Sequence, residues 1–451
     1  MTRKKWALLI FCILLLAGYF KFFYKTFTVK GVVKNADCII AVDVKRITNT
    51  VIWNTITTPS QWKKISFSSS GGINWKDMFR IPDYVFIFHA SGQPSNAWYT
   101  VFEIKDNEDF NKGLEQYHFE KAGQQGNMQR FASLASGIEM IRYENKVMLG
   151  NAAVSNKNYL QETATELFIK QQYTTRERLK KNTEAASHLS MQITQNDLLA
   201  GDPVVKVNFD KRKIVIDGRF DLNQSFGFTG NDFKYCDSSL CAIGFTQPPA
   251  SLYKLVPDST KMKISKLVNI DVDSLLLANN RYYDLDISGI YPRIDTAISY
   301  TYDADFNPVE SKVVNNVMEP SFNFIIHGEN VSQIYDRWNN SGKLEKAIDG
   351  DIFLPMPFVR SYCKKNNEKE LQVVSNNYHH VNANASINCL FFMNIVPGKI
   401  PAALKTYLPA AIEKIIRNLE LIQIKIQSKE KTIILDGLFE KKKNDLPVID
   451  W

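Results

Sequence analysis

Two stretches of the chain share one pattern of apolar and polar positions. Residues 205–221 read VKVNFDKRKIVIDGRFD and residues 424–440 read IKIQSKEKTIILDGLFE, and they align without a gap at an offset of 219. Each has a short alternating run, a charged turn, a β-branched run, then Asp-Gly and an aromatic residue. Alternation at period two sends successive side chains to opposite faces, so each stretch predicts a β-hairpin. The Asp217-Gly218 and Asp436-Gly437 pairs sit inside apolar runs, where glycine marks a bulge or a close backbone approach. The shared aspartates could instead be ligands or catalytic groups, but no partner for them stands nearby in sequence.

The pattern before the first hairpin predicts a mixed module. Cys38, Ile40, Val42 and Val44 alternate with Ile39, Ala41 and Asp43, which predicts a strand whose apolar face carries Cys38 into the core. Residues 47–62 predict a helix and 67–72 (FSSSGG) a loop. Residues 84–89 and 98–104 predict paired strands about the turn-rich 91–95. Asp106 is placed to cap a helix, with Phe110, Leu114 and Tyr117 on one face. Residues 138–143 and 146–149 predict a hairpin over Glu144-Asn145, and 157–198 one or two polar helices. Residues 226–261, holding Cys236, Cys241, Pro248, Pro249 and Pro257, predict an irregular connector.

The second half repeats this order. Ile270-Asp271-Val272 answers Val42-Asp43-Val44 at an offset of 228, and residues 322–328 answer 98–104 at 224. Asn330 is placed to cap a helix, with Gln333 set for a capping box. Ile334 and Trp338 answer Phe110 and Leu114, and Leu371 and Val373 answer Val147 and Leu149, all at 224. Leu404, Leu408, Ile412, Ile415 and Leu419 then line a helix face that Pro409 kinks or restarts. The expected fold class is α+β. It is a tandem duplication of a module with a mainly antiparallel sheet and helices on one face, after one N-terminal transmembrane helix. The expected organisation is a cytoplasmic head and anchor (1–30), a first module (31–225), a connector (226–261) and a second module (262–451).

The anchor rests on the N-terminus. After Arg3, Lys4 and Lys5, residues 6–20 carry no charge, and counting through Tyr24 makes the span long enough to cross a bilayer if Lys21 snorkels. Trp6 at one end and the Phe22, Phe23, Tyr24 cluster at the other suit the two interfaces. A cleaved signal peptide competes with this reading, but Leu16 stands where a cleavage site needs a small residue. A short basic head places the N-terminus inside and the bulk outside the cytoplasm, in a bacterial envelope the periplasmic side.

Length and composition bound the rest. A chain of 451 residues is too long for one ordinary core. Net charge is +8, from 55 basic and 47 acidic residues, which is mild over this length. The densest basic runs, 211–213 and 441–443, fall in a hairpin turn and a tail, so there is no nucleic-acid stripe.

Candidate chemistry is sparse. No phosphate loop, Gly-x-Ser-x-Gly or His-Glu-x-x-His occurs. Asp303, Asp305 and Asn307 copy three positions of a calcium loop, but Pro308 and Val314 replace its glycine and its glutamate. A hairpin turn between residues 298–302 and 313–314 accounts for them. The histidines, His89, His118, His188, His327, His379 and His380, are scattered and read as ordinary exposed side chains. Cys236 with Cys241, and Cys363 with Cys389, are candidate disulfides, with free thiols the equal alternative. The reading names no catalytic residue, no metal and no cofactor.

Ile40-Ala41-Val42-Asp43-Val44, Val101-Phe102-Glu103-Ile104-Lys105-Asp106 with Phe110, and Val147-Met148-Leu149-Gly150 carry a resemblance, as does Asp303-Ala304-Asp305-Phe306-Asn307. In order and spacing the chain resembles a bacterial family of membrane-anchored envelope proteins, a domain of unknown function. The family has no established reaction, so the resemblance implies location and build only. The expected function is therefore non-catalytic: an envelope protein that binds or scaffolds a protein partner, tethered to the membrane by residues 6–24. The alternatives are a binder of an apolar ligand such as a lipid, and an unrecognised hydrolase.

Overall fold

The computed structural model describes residues 19, 22–57, 73–151, 158–247, 253, 258–268, 271, 273, 282–302, 306–348, 350–356, 359–376, 378, 383–402, 413 and 416–442. Helix accounts for 22% and strand for 48%, and the strands pair antiparallel, so the fold is α+β. The chain divides into two compact units, the first ending at Asn223 and the second beginning at Gln224. Among the described residues no helix is long and apolar enough to cross a membrane. The span expected at 6–24 lies almost wholly outside the described residues, as do the 67–72 loop and most of the helix expected at 404–419.

The first unit opens with β1 (Ala36–Asp43), α1 (Val44–Ile56), α2 (Trp75–Met78), β2 (Phe79–Arg80), β3 (Tyr84–Ala90) and β4 (Tyr99–Ile104). It continues with α3 (Asn107–Gln116), β5 (Glu120–Gln125), β6 (Met128–Ser133), β7 (Ile138–Tyr143) and β8 (Lys146–Asn151). After α4 (Tyr159–Ala164) and a π turn (Thr165–Ile169) come α5 (Arg176–Thr183), β9 (Leu189–Ile193), β10 (Val204–Phe209) and β11 (Lys213–Asp221). The strand order is β5-β6-β7-β8-β4-β3-β1-β9-β10-β11, with β2 also beside β4.

Helices pack on both faces of this sheet, not on one as the pattern implied. Met148 joins Phe88, Tyr99, Leu160, Leu167 and Leu179 on the side of α4 and α5. Its neighbours Val147 and Leu149 join Phe110 and Leu114 of α3 on the other. The alternating strand β8 is therefore buried on both sides. Asp106 caps α3 as expected, accepting from the backbone N–H of Glu108 (2.8 Å) and Asp109 (3.0 Å). Asp43 ends β1 and caps α1, accepting from the N–H of Arg46 at 2.8 Å, and the same buried carboxylate pairs with Lys25.

The second unit contains β12 (Asn231–Tyr235), β13 (Cys241–Thr246), α6 (Asp258–Val268), β14 (Tyr282–Tyr302) and β15 (Pro308–His327). Then come α7 (Val331–Asn340), β16 (Leu344–Glu345), β17 (Asp351–Phe353), β18 (Ser361–Asn367) and β19 (Glu370–Ser375). It ends with β20 (Ala385–Cys389), β21 (Phe391–Ile395), β22 (Leu419–Lys429) and β23 (Thr432–Lys441). The strand order is β16-β17-β18-β19-β15-β14-β13-β21-β22-β23. β12 and β20 form a separate pair whose Phe233 packs on Phe392, ring centroids 5.4 Å apart.

Two expectations change here. The stretch read as a connector, 226–261, holds β12, β13 and the start of α6. Asn330 begins α7 in the left-handed conformation (φ 59°) and makes no side-chain cap bond.

One row of directly opposite residues crosses each sheet. In the first unit it runs Met140, Leu149, Thr100, Ile87, Ile40, Met191, Val205, Gly218. In the second it runs Cys363, Val373, Phe324, Leu285, Ile243, Met393, Ile424, Gly437. The strand facing β1's place in this comparison is β13. Ile270-Asp271-Val272, matched to β1 by sequence pattern, contains no described strand residue.

Candidate functional site

A groove of about 790 Å³ opens in the first unit, lined by residues of β1, β9, α5 and the turn after β3. It is built on a register shift in β1 between Ala36 and Cys38. Such a shift redirects a side chain, and here Asp37 Oδ1 lies 2.6 Å from His89 Nδ1. His89 Nε2 lies 2.9 Å from the carbonyl oxygen of Pro94, and the ring sits 5.7 Å from that of Trp98. Each ring nitrogen thus faces an acceptor, which leaves neither free to take a proton from a substrate.

Cys38 lies opposite His89 in the ladder. It is half-buried and lines the groove, while Ala36, Ile39 and Ala41 are the apolar residues of β1 that enter the core, so the expected inward face is reversed. Burial, with Asp37 beside it, pushes the Cys38 thiol up to about 11. A thiol held there is not a nucleophile at neutral pH. Arg178 of α5 supplies a cation. Its Nη2 donates to Thr194, its Nε is buried with no hydrogen bond among the described residues, and burial pulls the guanidinium below its usual range. With Trp98, Met191 and Ile193 as apolar wall, the groove is chemically equipped to hold a ligand and poorly equipped to transform one.

His188 and His327 are less exposed than their scatter implied, while His118 is exposed. His188 is buried, with Nε2 2.7 Å from Thr50 Oγ1 and Nδ1 accepting from the N–H of Phe209 at 3.1 Å. Burial, then Arg46, holds it below the usual histidine range. His327 of β15 stacks on Tyr282 (4.3 Å), with Nε2 3.3 Å from Asp284 and Nδ1 3.8 Å from Glu370. Burial pushes Asp284 up, and His327 opposes that shift. His379 and His380 lie outside the described residues. Among the described residues no group of three or more His, Cys, Asp or Glu is placed to hold a metal.

The four cysteines offered for pairing are free thiols. Cys363 faces Val373 within β18–β19, while Cys389 faces Asn231 in the separate β12–β20 pair. Cys241 lies in the ladder between Ile287 and Ile395, and Cys236 Sγ is 3.1 Å from Ser238 Oγ. Burial pushes Cys363 up to about 12, and Cys241 and Cys389 to about 11. Asp217 lies opposite Lys206, and Asp436 opposite Lys425. The ladder runs through Gly218 without a shift, so the glycine marks a close approach and not a bulge: an added Cβ would lie 3.2 Å from Val205 Cγ2.

The feature that sequence reasoning understated is the β14–β15 hairpin. β13 pairs with β14 only up to Ile287, and β19 pairs with β15 only from Asn323. Beyond, the two strands continue as a two-stranded arm to a turn at Phe306 and Asn307. Asp303 and Asp305 of the rejected calcium loop lie outside the described residues. From Tyr291 to Tyr302 the arm extends about 35–40 Å at ~3.3 Å per residue. Ile294, Ile298, Tyr300, Tyr302 and Val314 are exposed on it, Ile294 to 70%. Register puts all of these on one face, where Lys312 and Glu310 lie opposite Ile298 and Tyr300. At its root Arg293 Nε lies 3.2 Å from the buried carboxylate of Glu319, which also accepts from the N–H of Arg360. The signal was present: residues 294–302 (IDTAISYTY) alternate β-branched or aromatic residues with smaller ones, continuous with the strand that precedes them.

The chain matches no protein-family model and no curated protein. Among solved structures it is similar to crystal form III of TP0453, at 10% identity and a TM-score of 0.28, over 54% of this chain and 87% of that one. It is similar also to crystal form I of TP0453, at 10% identity and a TM-score of 0.26, over 53% and 84%.

Proposed function

We propose that this protein is a non-catalytic binding or scaffolding protein of the bacterial envelope, held to the membrane by residues 6–24 with its bulk on the non-cytoplasmic side. The observation that carries the binding role is the exposure of apolar side chains on the β14–β15 arm. A monomeric protein rarely leaves so many large apolar side chains exposed on one face of a long two-stranded element, because such hairpins gain their stability from a third strand or a packed face. A protein surface supplies that. A bilayer interior does not, because the open edges of the arm would leave backbone groups unsatisfied there.

The test shortens the arm. Replacing residues 294–316 by a tight turn keeps Arg293, Glu319 and the pairing of β14 with β13 and of β15 with β19. Crosslinking in native membranes should capture the same specific protein with wild-type chain and lose it with the shortened one, at unchanged melting temperature. Capture that survives shortening counts against the arm. Turnover of any substrate by purified protein, lost on alanine substitution at Asp217 and Asp436, would favour the hydrolase.

The groove favours a second reading, an amphiphilic ligand such as a lipid. Its wall of Trp98, Met191 and Ile193 adjoins the cations Lys34 and Arg178. Native mass spectrometry after mild extraction would reveal a copurifying lipid.

We infer in addition that the two units are copies of one duplicated module. What supports this is that their strand orders coincide and that the cross-sheet rows match position for position, from Met140 and Cys363 to Gly218 and Gly437.

A further inference from the structure

The outer edge of β15 has a property separate from the exposed apolar side chains of the arm. From Val309 to Val313 the strand reads Val-Glu-Ser-Lys-Val. Turned end for end, this order places valine on valine and glutamate on lysine. Two such strands running antiparallel about a two-fold axis at residue 311 therefore set Glu310 opposite the second copy's Lys312. They set Lys312 opposite its Glu310, and each Val309 opposite a Val313. A two-fold contact uses the same patch on both copies and must be self-complementary in this way.

We propose that two copies of this chain pair through this edge, joining their arms into one four-stranded antiparallel sheet. Each copy contributes residues 308–314. Four observations carry it. No strand other than β14 pairs with β15 before Asn323 among the described residues, so its backbone groups there have an open side. Glu310 and Lys312 are both exposed. Tyr300 Oη donates to Glu310 Oε1 at 3.2 Å, which orients the carboxylate and leaves it further acceptor capacity. The opposite edge, on β14, carries Ile298 and Tyr300 where β15 carries Lys312 and Glu310, so only the β15 edge offers the reciprocal charge pattern.

A lone edge lysine normally protects a strand by repelling its own copy. Glu310, two residues away on the same face, converts that repulsion into two reciprocal attractions. Opposite charges directly across strands attract and like charges repel. The pairs are exposed, so association should weaken with salt. Pairing also gives each two-stranded arm the additional strands that an isolated hairpin lacks.

The test is sedimentation of the full chain in mild detergent across a concentration series. Wild type should self-associate, less so at high salt. Lys312→Glu alone and Glu310→Lys alone should each weaken this by roughly tenfold or more, because both reciprocal pairs become like-charged. The exchange Glu310→Lys with Lys312→Glu should restore association, and an equal mixture of the two single variants should form a mixed dimer. Circular dichroism and melting temperature serve as the folding check, since these exposed substitutions leave the body untouched. A wild-type chain that stays monomeric at every concentration overturns the proposal. So does association that ignores the single reversals, or an exchanged variant that fails to recover.

Discussion

Gly218 lies directly opposite Val205 across the β10–β11 hairpin, and the gap between them is too narrow for a side chain. A Cβ on Gly218 would lie 3.1 Å from a ring carbon of Phe220 and 3.2 Å from Val205 Cγ2. Either neighbour must give by a few tenths of an ångström. Gly218→Ala should therefore destabilise the protein by about 1–3 kcal/mol, the range for modest overpacking. Urea unfolding of this variant beside Gly437→Ala, which stands opposite Ile424, measures the effect. Wild-type stability in both would mean the glycines carry another role.

Asp43 joins two tasks in one buried carboxylate: it caps α1 and it faces Lys25 and Arg46. Asp43→Ala removes a cap, which costs about 1 kcal/mol. It also strips Lys25 of a desolvated partner, and breaking such pairs costs about 3–5 kcal/mol when both ions are fully buried. Lys25 is still partly exposed, so a total loss of about 2–4 kcal/mol is expected. Asp43→Asn should recover part of the cap and little of the rest. Thermal unfolding of both variants separates the two contributions.

His89→Phe should lower stability without touching association. The substitution removes both hydrogen bonds of the ring and leaves Asp37 and the Pro94 carbonyl to water or to nothing. A loss of about 1–3 kcal/mol follows from one unsatisfied buried group. If crosslinked partners vanished from this variant while its melting temperature held, the groove and not the arm would be the partner site.

The thiols supply a pH prediction. Burial raises Cys38, Cys241 and Cys389 from 9.0 to about 11, and Cys363 to about 12. Folding thus favours the neutral thiol. That stabilisation is complete below about pH 9 and is lost as pH rises through 11 to 12. Denaturant midpoints should fall progressively above pH 9, with Tyr84 and Tyr99, raised from 10.0 to about 12, adding to the same trend. At pH 8 these thiols should react slowly with an alkylating reagent in the folded protein and rapidly in urea. Fast labelling of the folded chain at Cys363 would contradict the burial.

Much of the strand inventory is local and was legible. Both closing hairpins, β3 with β4, β7 with β8, and the α3 face of Phe110 and Leu114 follow from periodicities of two and 3.6, because one buried face imposes the pattern. The matched blocks at an offset of 224 carry into the structure at the level of register: Phe102 faces Val147 as Ile326 faces Leu371. β9 escaped notice for a physical reason. Its buried residues are Ser190 and Gln192, while Leu189, Met191 and Ile193 are only half-buried, so its polar positions point inward and the pattern reads as a polar segment.

What the sequence by itself determined, then, is the set of short-range elements and the recurrence of their order, since hairpins and capped helices are specified by residues a few positions apart. The tertiary structure decided the rest. It placed β1 between β3 and β9, and β13 at the matching position of the second sheet. It gave His89 its partner 52 positions away and His188 its partner 138 away. It also left the far half of β14–β15 without a neighbouring strand among the described residues. Each of these depends on which distant backbone edge or side chain arrives alongside, a choice made by the packing of whole elements, and local alternation carries no record of it.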